Sequence, residues 1–224
     1  MSRLLLGLAL LAAAAGPTPT RLRVKASPAV APCVAAAASV YERATGNTLA
    51  VETAKLFDAA STDGADVVVA ADAELNRIIE GGATHPDLDV DVATIPWVLV
   101  GASGAGEVSA RSLGQTQTRV RVMGGVVGHE ASRSLARQGL DPARVRRLRE
   151  PLAPLQLEPG EAAVVPLSLA GSLPATRLDV PPLTARALGV RTSPRKDAIR
   201  ALLAFLAGET GNAAFRACGR TAAR

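Results

Sequence analysis

The stretch Gly64-Ala65-Asp66-Val67-Val68-Val69-Ala70-Ala71-Asp72 constrains this chain more than any other. A turn-forming entry leads into an unbroken β-branched run. The run exits into Asp72-Ala73-Glu74-Leu75-Asn76-Arg77-Ile78-Ile79-Glu80, which has a helical pattern. A short apolar run bounded by turn signals suits a strand buried on both faces, although periodicity alone also admits a buried helical segment. Three consecutive valines favour the strand. Such strands belong to parallel sheets with helices on both sides. Open α/β sheets bind ligands beyond the carboxyl ends of these strands.

The residues before it repeat the same unit. Arg21 to Lys25 alternates like a strand and ends in a turn at Ser27-Pro28. Pro32 suits the first turn of a helix that includes Val34 to Arg43 and stops at Gly46. Thr48 to Glu52 reads as a second strand, and Thr53 is placed to cap a helix from Ala54 to Ala60. The order strand, helix, strand, helix, strand, helix predicts a parallel α/β unit.

Beyond Gly81-Gly82, His85 to Asp91 reads as a polar loop and Ile95 to Gly101 as an apolar strand. Ala102 to Gln117, rich in Gly, Ser and Thr, reads as a crossing or surface turn. Arg119 to Met123 is a half-exposed strand, followed by a glycine loop at 124–128 and a helix from His129 to Gln138. A further Arg-rich helix is expected from Asp141-Pro142 to about Arg149. Ala162 to Leu169 reads as a buried strand interrupted by Pro166, and therefore as an edge or strand end. Leu183 to Val190 reads as a strand containing a turn. Pro194 opens the last helices, whose apolar face is marked by Ala198, Leu202, Leu203, Phe205 and Leu206.

The termini and composition bound the function. Arg3 followed by the apolar run Leu4 to Ala15 and Ala13-Ala14-Ala15 has the form of a secretory signal peptide over 1–20, removed on export. The run is too short to span a bilayer comfortably. Cys33 and Cys218 are either two free thiols or a disulfide, which export would permit. A bridge would be worth about 4–5 kcal/mol in the chain-entropy model. Hydrophobic residues make up 48% of the 224, so a real core is expected, but aromatics are only 2%, so it must be built from Ala, Val and Leu. So few aromatics argue against a single-strand nucleic-acid binder. The net charge of +5 comes mostly from scattered arginines; no nucleic-acid motif accompanies them.

The order of elements resembles the periplasmic molybdate-binding proteins of ABC importers, which have the type II two-lobe fold. The resemblance rests on Tyr41-Glu42-Arg43-Ala44-Thr45-Gly46, the 64–72 strand, Gly128 to Leu135, Gly160-Glu161-Ala162-Ala163-Val164-Val165, and the pattern from Ala198 to Gly219. It implies an α/β protein of two lobes with mixed, mostly parallel sheets, flanking helices and a hinge. The expected division is 21–100 for the first part of lobe 1, 101–182 for lobe 2 and 183–224 for the return to lobe 1. It implies no catalysis and no cofactor. A monomer would capture a small oxyanion such as molybdate or tungstate and pass it to an importer permease. The alternative is a sensor or interaction module of the same fold.

That family holds its anion with hydroxyls and backbone N–H groups. The matching positions imply ligand contacts at Ser27, Thr53 and Val127, with Ala29 at the spacing of the family's first serine. The family's tyrosine falls on Pro166, which offers neither a phenol nor an N–H. Independently of the resemblance, free N–H groups at strand-to-helix loops can bind anions, while Ser27 and Thr53 also suit an ordinary turn and a helix cap. No His or Cys stands at metal-ligand spacing, and no Gly-x-Ser-x-Gly elbow or phosphate-loop motif is present.

Overall fold

The computed structural model describes residues 19–54, 57–101, 119–137, 140–148, 155, 157–171 and 173–218. Residues 1–18 of the expected signal peptide and the segment 102–118 lie outside the described residues. The first lobe begins with β1 (Arg21–Ala26), α1 (Ala31–Thr45), β2 (Thr48–Thr53), β3 (Val67–Ala71), α2 (Asp72–Glu80) and β4 (Thr84–Ile95). The second contains β5 (Trp97–Gly101), β6 (Arg119–Met123), α3 (Gly125–Arg137), β7 (Val145–Leu148), β8 (Glu161–Pro166) and β9 (Ala175–Arg177). The chain then returns with β10 (Leu183–Val190), α4 (Lys196–Ala207) and α5 (Glu209–Ala217).

The sheets have the orders β2-β1-β3-β10-β4 and β7-β6-β8-β5-β9. Each combines two parallel with two antiparallel pairings. Two connections join the sheets: Pro96 between β4 and β5, and the segment between β9 and β10.

The run of valines forms β3, and all five of its residues are buried. Val67 and Val69 join the large cluster that includes Ala37 and Tyr41 of α1 and Leu202 and Leu203 of α4. Val68 and Ala70 face the other way, onto Leu75 and Ile78 of α2. Full burial of a side chain of that size contributes about 1.5–3 kcal/mol, so two such anchors hold a helix of nine residues. Cys33 in α1 is disulfide-bonded to Cys218 just beyond α5.

Several elements differ from their sequence reading. The stretch from His85 to Asp91 is not a loop but most of β4, which alternates apolar and acidic residues and packs Leu88 and Val92 inward. As an edge strand β4 tolerates Pro86. Ile95 to Gly101 is broken at Pro96, where the chain changes sheets. The Arg-rich segment after Asp141 makes a 3-10 turn at Pro142–Arg144 and then β7, paired with β6. Sheet pairing overrides the helix propensity of its arginines. In place of a helix capped by Thr53, the chain forms a 3-10 turn at Ala59–Thr62 capped by Asp58; residues 55–56 lie outside the described residues. Leu183 to Val190 contains register shifts but no turn.

Two local contacts fix this arrangement. Asp66, buried ahead of β3, accepts the Arg23 backbone N–H at 2.8 Å, the Ser193 hydroxyl at 2.6 Å and the Arg195 guanidinium at 3.0 and 3.1 Å. Burial pushes its pKa up, but these donors outweigh burial and hold it below the ordinary 3.8. The second contact is at Gly128, where an added Cβ would stand 1.4 Å from the Met123 carbonyl oxygen. Only glycine lets α3 lie this close to the end of β6.

Asp66→Ala is expected to lose at least about 1.5–3 kcal/mol in urea unfolding at pH 7, the range for hydrogen bonds to a charged group. Since the folded pKa lies below the unfolded one, the ionic part of this stability is present above pH 3.8 and is lost as pH falls through the folded value. The gap between variant and parent should therefore narrow in acid. Gly128→Ala is expected to cost at least the 1–3 kcal/mol typical of overpacking, about that or more because the clash is with backbone; its urea midpoint should fall accordingly.

Candidate functional site

The carboxyl ends of β1, β2 and β3 point towards the second lobe, and this is where the expected ligand residues fall. Ser27 follows β1 directly. Its backbone N–H donates to the Val69 carbonyl, and its own carbonyl accepts from Val30 and Ala31 as α1 begins. These bonds place the hydroxyl in the interior, at 0% exposure. There Oγ has no well-formed hydrogen-bond partner. Buried polar groups in this state are few and call for a physical reason.

Thr53 ends β2 opposite Ala26 in the parallel register, so it is one strand away from the Ser27 loop. Its side chain is exposed. The Ala54 N–H that follows is taken by the Ala26 carbonyl. Among the described residues Thr53 caps no helix.

Val127 lies across the cleft in the first turn of α3, not in a turn preceding the helix. Its amide is among the first four of the helix, which lack intrahelical acceptors. Its side chain is buried in the same apolar cluster as Ala29 and Val30. Gly128 beside it serves contact with Met123, not approach to a ligand. Ser27 and Thr53 are thus neighbours on one lobe, and Val127 belongs to the other.

Two residues at this end of the cleft carried no distinct sequence signal. Ser168, in the 3-10 turn after β8, donates its hydroxyl to the Ala29 carbonyl and so joins the lobes directly. It stands two places beyond Pro166, which ends β8 against Trp97. Glu74 in the first turn of α2 accepts the Ala71 N–H at 3.2 Å through Oε2. Burial pushes its carboxyl pKa up, opposed in part by the Ser27 hydroxyl and the Ala71 N–H. Ser27 is thus close enough to favour the ionised carboxyl without completing a good hydrogen bond to it. No Ser or Thr precedes Glu74 at capping-box spacing, so its bond to the Ala71 N–H had no sequence signature, and its closeness to Ser27 depends on the β1–β3 register.

A cavity of about 370 Å³ opens between the lobes on the β3–β10 side. Ala71, Asp72 and Thr184 line it from the first lobe, and Trp97 and α3 from the second. Asp72 at its rim pairs with Arg186, which also pairs with Asp89 and Asp91. This arrangement uses Asp72 in a surface ion network, not as an acid or base. Among the described residues no group of three or more His, Cys, Asp or Glu could hold a metal ion.

Residues 22–221 match the family model of bacterial extracellular solute-binding proteins. No curated protein matches the chain in sequence. Among solved structures, the fold is similar to the periplasmic molybdate-binding protein of Azotobacter vinelandii, at 16% identity and a TM-score of 0.71 over 88% of this chain and 97% of that one. It is also similar to the substrate-binding domain of a putative molybdenum ABC transporter from Clostridium difficile, at 18% identity and a TM-score of 0.68 over 89% and 97%. The OxyR2 regulatory domain of Vibrio vulnificus is similar too, at 13% identity and a TM-score of 0.58 over 84% and 95%. At these identities the likeness concerns the fold.

The raised pKa of Glu74 has a definite sign in stability. The folded state holds the proton more tightly than the unfolded chain, so stability falls as pH rises from about the ordinary 4.5 through the folded value. Glu74→Gln keeps an acceptor for the Ala71 N–H but has no charge to desolvate. Its melting temperature relative to the parent should therefore rise between pH 4 and pH 7; a constant difference would contradict the shift.

Proposed function

Since the chain belongs to the bacterial extracellular solute-binding proteins, we propose that it is exported and captures a small oxyanion of the molybdate or tungstate type between its lobes. It then delivers the anion, as a monomer, to the permease of an ABC importer. No bond is made or broken. The observation that carries this reading is the Ser27 hydroxyl, fully buried at the carboxyl end of β1 with no well-formed hydrogen bond, only the nearby Glu74 carboxyl. A ligand oxygen would complete it. Thr53 on the adjacent strand end and the amide of Val127 at the start of α3 would add donors without a counter-charge. The Cys33–Cys218 disulfide supports export, because such bonds persist in oxidising compartments.

The same end of the cleft holds one feature adverse to a bare dianion, the Glu74 carboxyl near Ser27. An anion there favours protonation of Glu74, so binding should strengthen as pH falls. A second reading, a sensor module without transport, is favoured by the direct Ser168–Ala29 bond, which joins the lobes without any ligand.

The test is thermal unfolding of the mature chain with molybdate, tungstate, sulfate and phosphate. At 100 times Kd a ligand adds about 2.7 kcal/mol, or roughly 5–10 °C for a domain of this size. The shift should disappear in Ser27→Ala and grow in Glu74→Gln. Absence of a shift with all four anions would sink the oxyanion reading and favour the sensor.

A further inference from the structure

We infer that the cleft contains a second ligand site, separate from Ser27, for a small organic anion bearing a carboxylate or phosphate group. It occupies the cavity between α2, α3 and the crossing into β10, whose volume of about 370 Å³ lies at the lower end of the range for ligand sites.

The chemistry of the walls defines the ligand. Arg133 and Arg137 line the cavity one helical turn apart on the same face of α3. Neither forms an ion pair among the described residues. Of the two acids on the walls, Asp72 is already paired with Arg186. That leaves Glu130 against two guanidinium groups, a net positive wall. Guanidinium groups bind carboxylate and phosphate oxygens through parallel charge-assisted hydrogen bonds. The floor is of another kind: Trp97, Val180 and Leu183 are buried and apolar. A bare inorganic oxyanion has nothing to place against that floor, whereas the carbon body of an organic anion does. The Thr184 hydroxyl, half-buried on the opposite lobe, can receive a second polar group of the same molecule.

The position gives binding a consequence. The cavity is walled by both lobes and by Val180, Pro181 and Pro182 of the crossing. A ligand there touches both lobes and one of the two crossings that join them, and so favours arrangements that keep both lobes within its reach.

The experiment is isothermal titration of the mature chain with succinate, glycerol 2-phosphate and inorganic phosphate, repeated on the R133Q/R137Q double variant and on Ser27→Ala. At least one of the two organic probes should bind the parent. Its affinity should fall about tenfold or more in R133Q/R137Q, as expected for loss of charge-assisted hydrogen bonds, and stay unchanged in Ser27→Ala. Both arginines are exposed, so the double variant should keep the parent's unliganded melting temperature. Binding of inorganic phosphate alone, binding by neither organic probe, or organic binding that survives R133Q/R137Q would each overturn the inference. Loss of organic binding in Ser27→Ala would also overturn it, by placing the ligand at the first site. The oxyanion reading fails separately, on the response to molybdate, tungstate, sulfate and phosphate.

Discussion

Asp66 receives the Arg23 N–H, the Ser193 hydroxyl and the Arg195 guanidinium, and through them it ties β1, β3 and the entry to α4 to one another. The register of β1 against β3 follows from this anchoring at their amino ends. Val24 lies beside Val67, and Ala26 beside Val69. At the carboxyl ends, the same register sets the Ser27 N–H on the Val69 carbonyl and turns its hydroxyl inward near Glu74. A slip of one residue would exchange the two faces of the strand, moving Ser27 out of the interior and the valines out of their clusters. The ligand end of the sheet is therefore fixed by a polar contact at its opposite end.

The interlobe geometry has a similar dependence on a few contacts. Two connections carry the chain between sheets, one of them the single residue Pro96. Its restricted φ limits the paths a hinge can take there. Across the cleft, Ser168 binds the Ala29 carbonyl, in the loop that presents Ser27. The disulfide closes a chain separation of 185 residues and fixes α1, which begins at that loop, to the chain end beyond α5. In the chain-entropy model such a link is worth about 5 kcal/mol. The Ser27 loop is thus held from its own lobe by the disulfide and from the other by Ser168, and any parting of the lobes must break the Ser168–Ala29 bond.

Much of the first lobe was legible because its elements are strongly patterned. The three valines favoured a strand over the buried helix that periodicity also admits, the helix carrying Leu75 and Ile78 follows its pattern, and Gly46 ends α1 in the left-handed region. The misreadings share a cause. β4 alternates Asp87-Leu88-Asp89-Val90-Asp91-Val92, a strand period, but its acidic residues and Pro86 argued for loop. What makes it a strand is β10 beside it and Arg186, which meets Asp89 and Asp91 across the pair. β7 likewise exists because β6 offers it an edge. Tertiary pairing decided both, and no local propensity carries that information. Of the proposed site, Ser27 and Thr53 were legible through the resemblance, at the ends of β1 and β2. Ser168, Arg133 and Arg137 were not, since what matters in them is which lobe they face.

The charge of the molecule and the chemistry of its cleft point to a division of labour. The arginine excess gives the chain a net charge of +5, which favours anions at long range, an effect that salt screens beyond about 10 Å. At the proposed Ser27 site the donors would be a hydroxyl and amides, and the neighbouring Glu74 is an acid. Selectivity at that end must come from size and from the protonation state of ligand and Glu74. On the β3–β10 side the balance is opposite, with two unpaired guanidinium groups over an apolar floor. The two proposed sites would therefore reward different anions for different physical reasons: one for fitting a set of donors, the other for carrying carbon behind its charge.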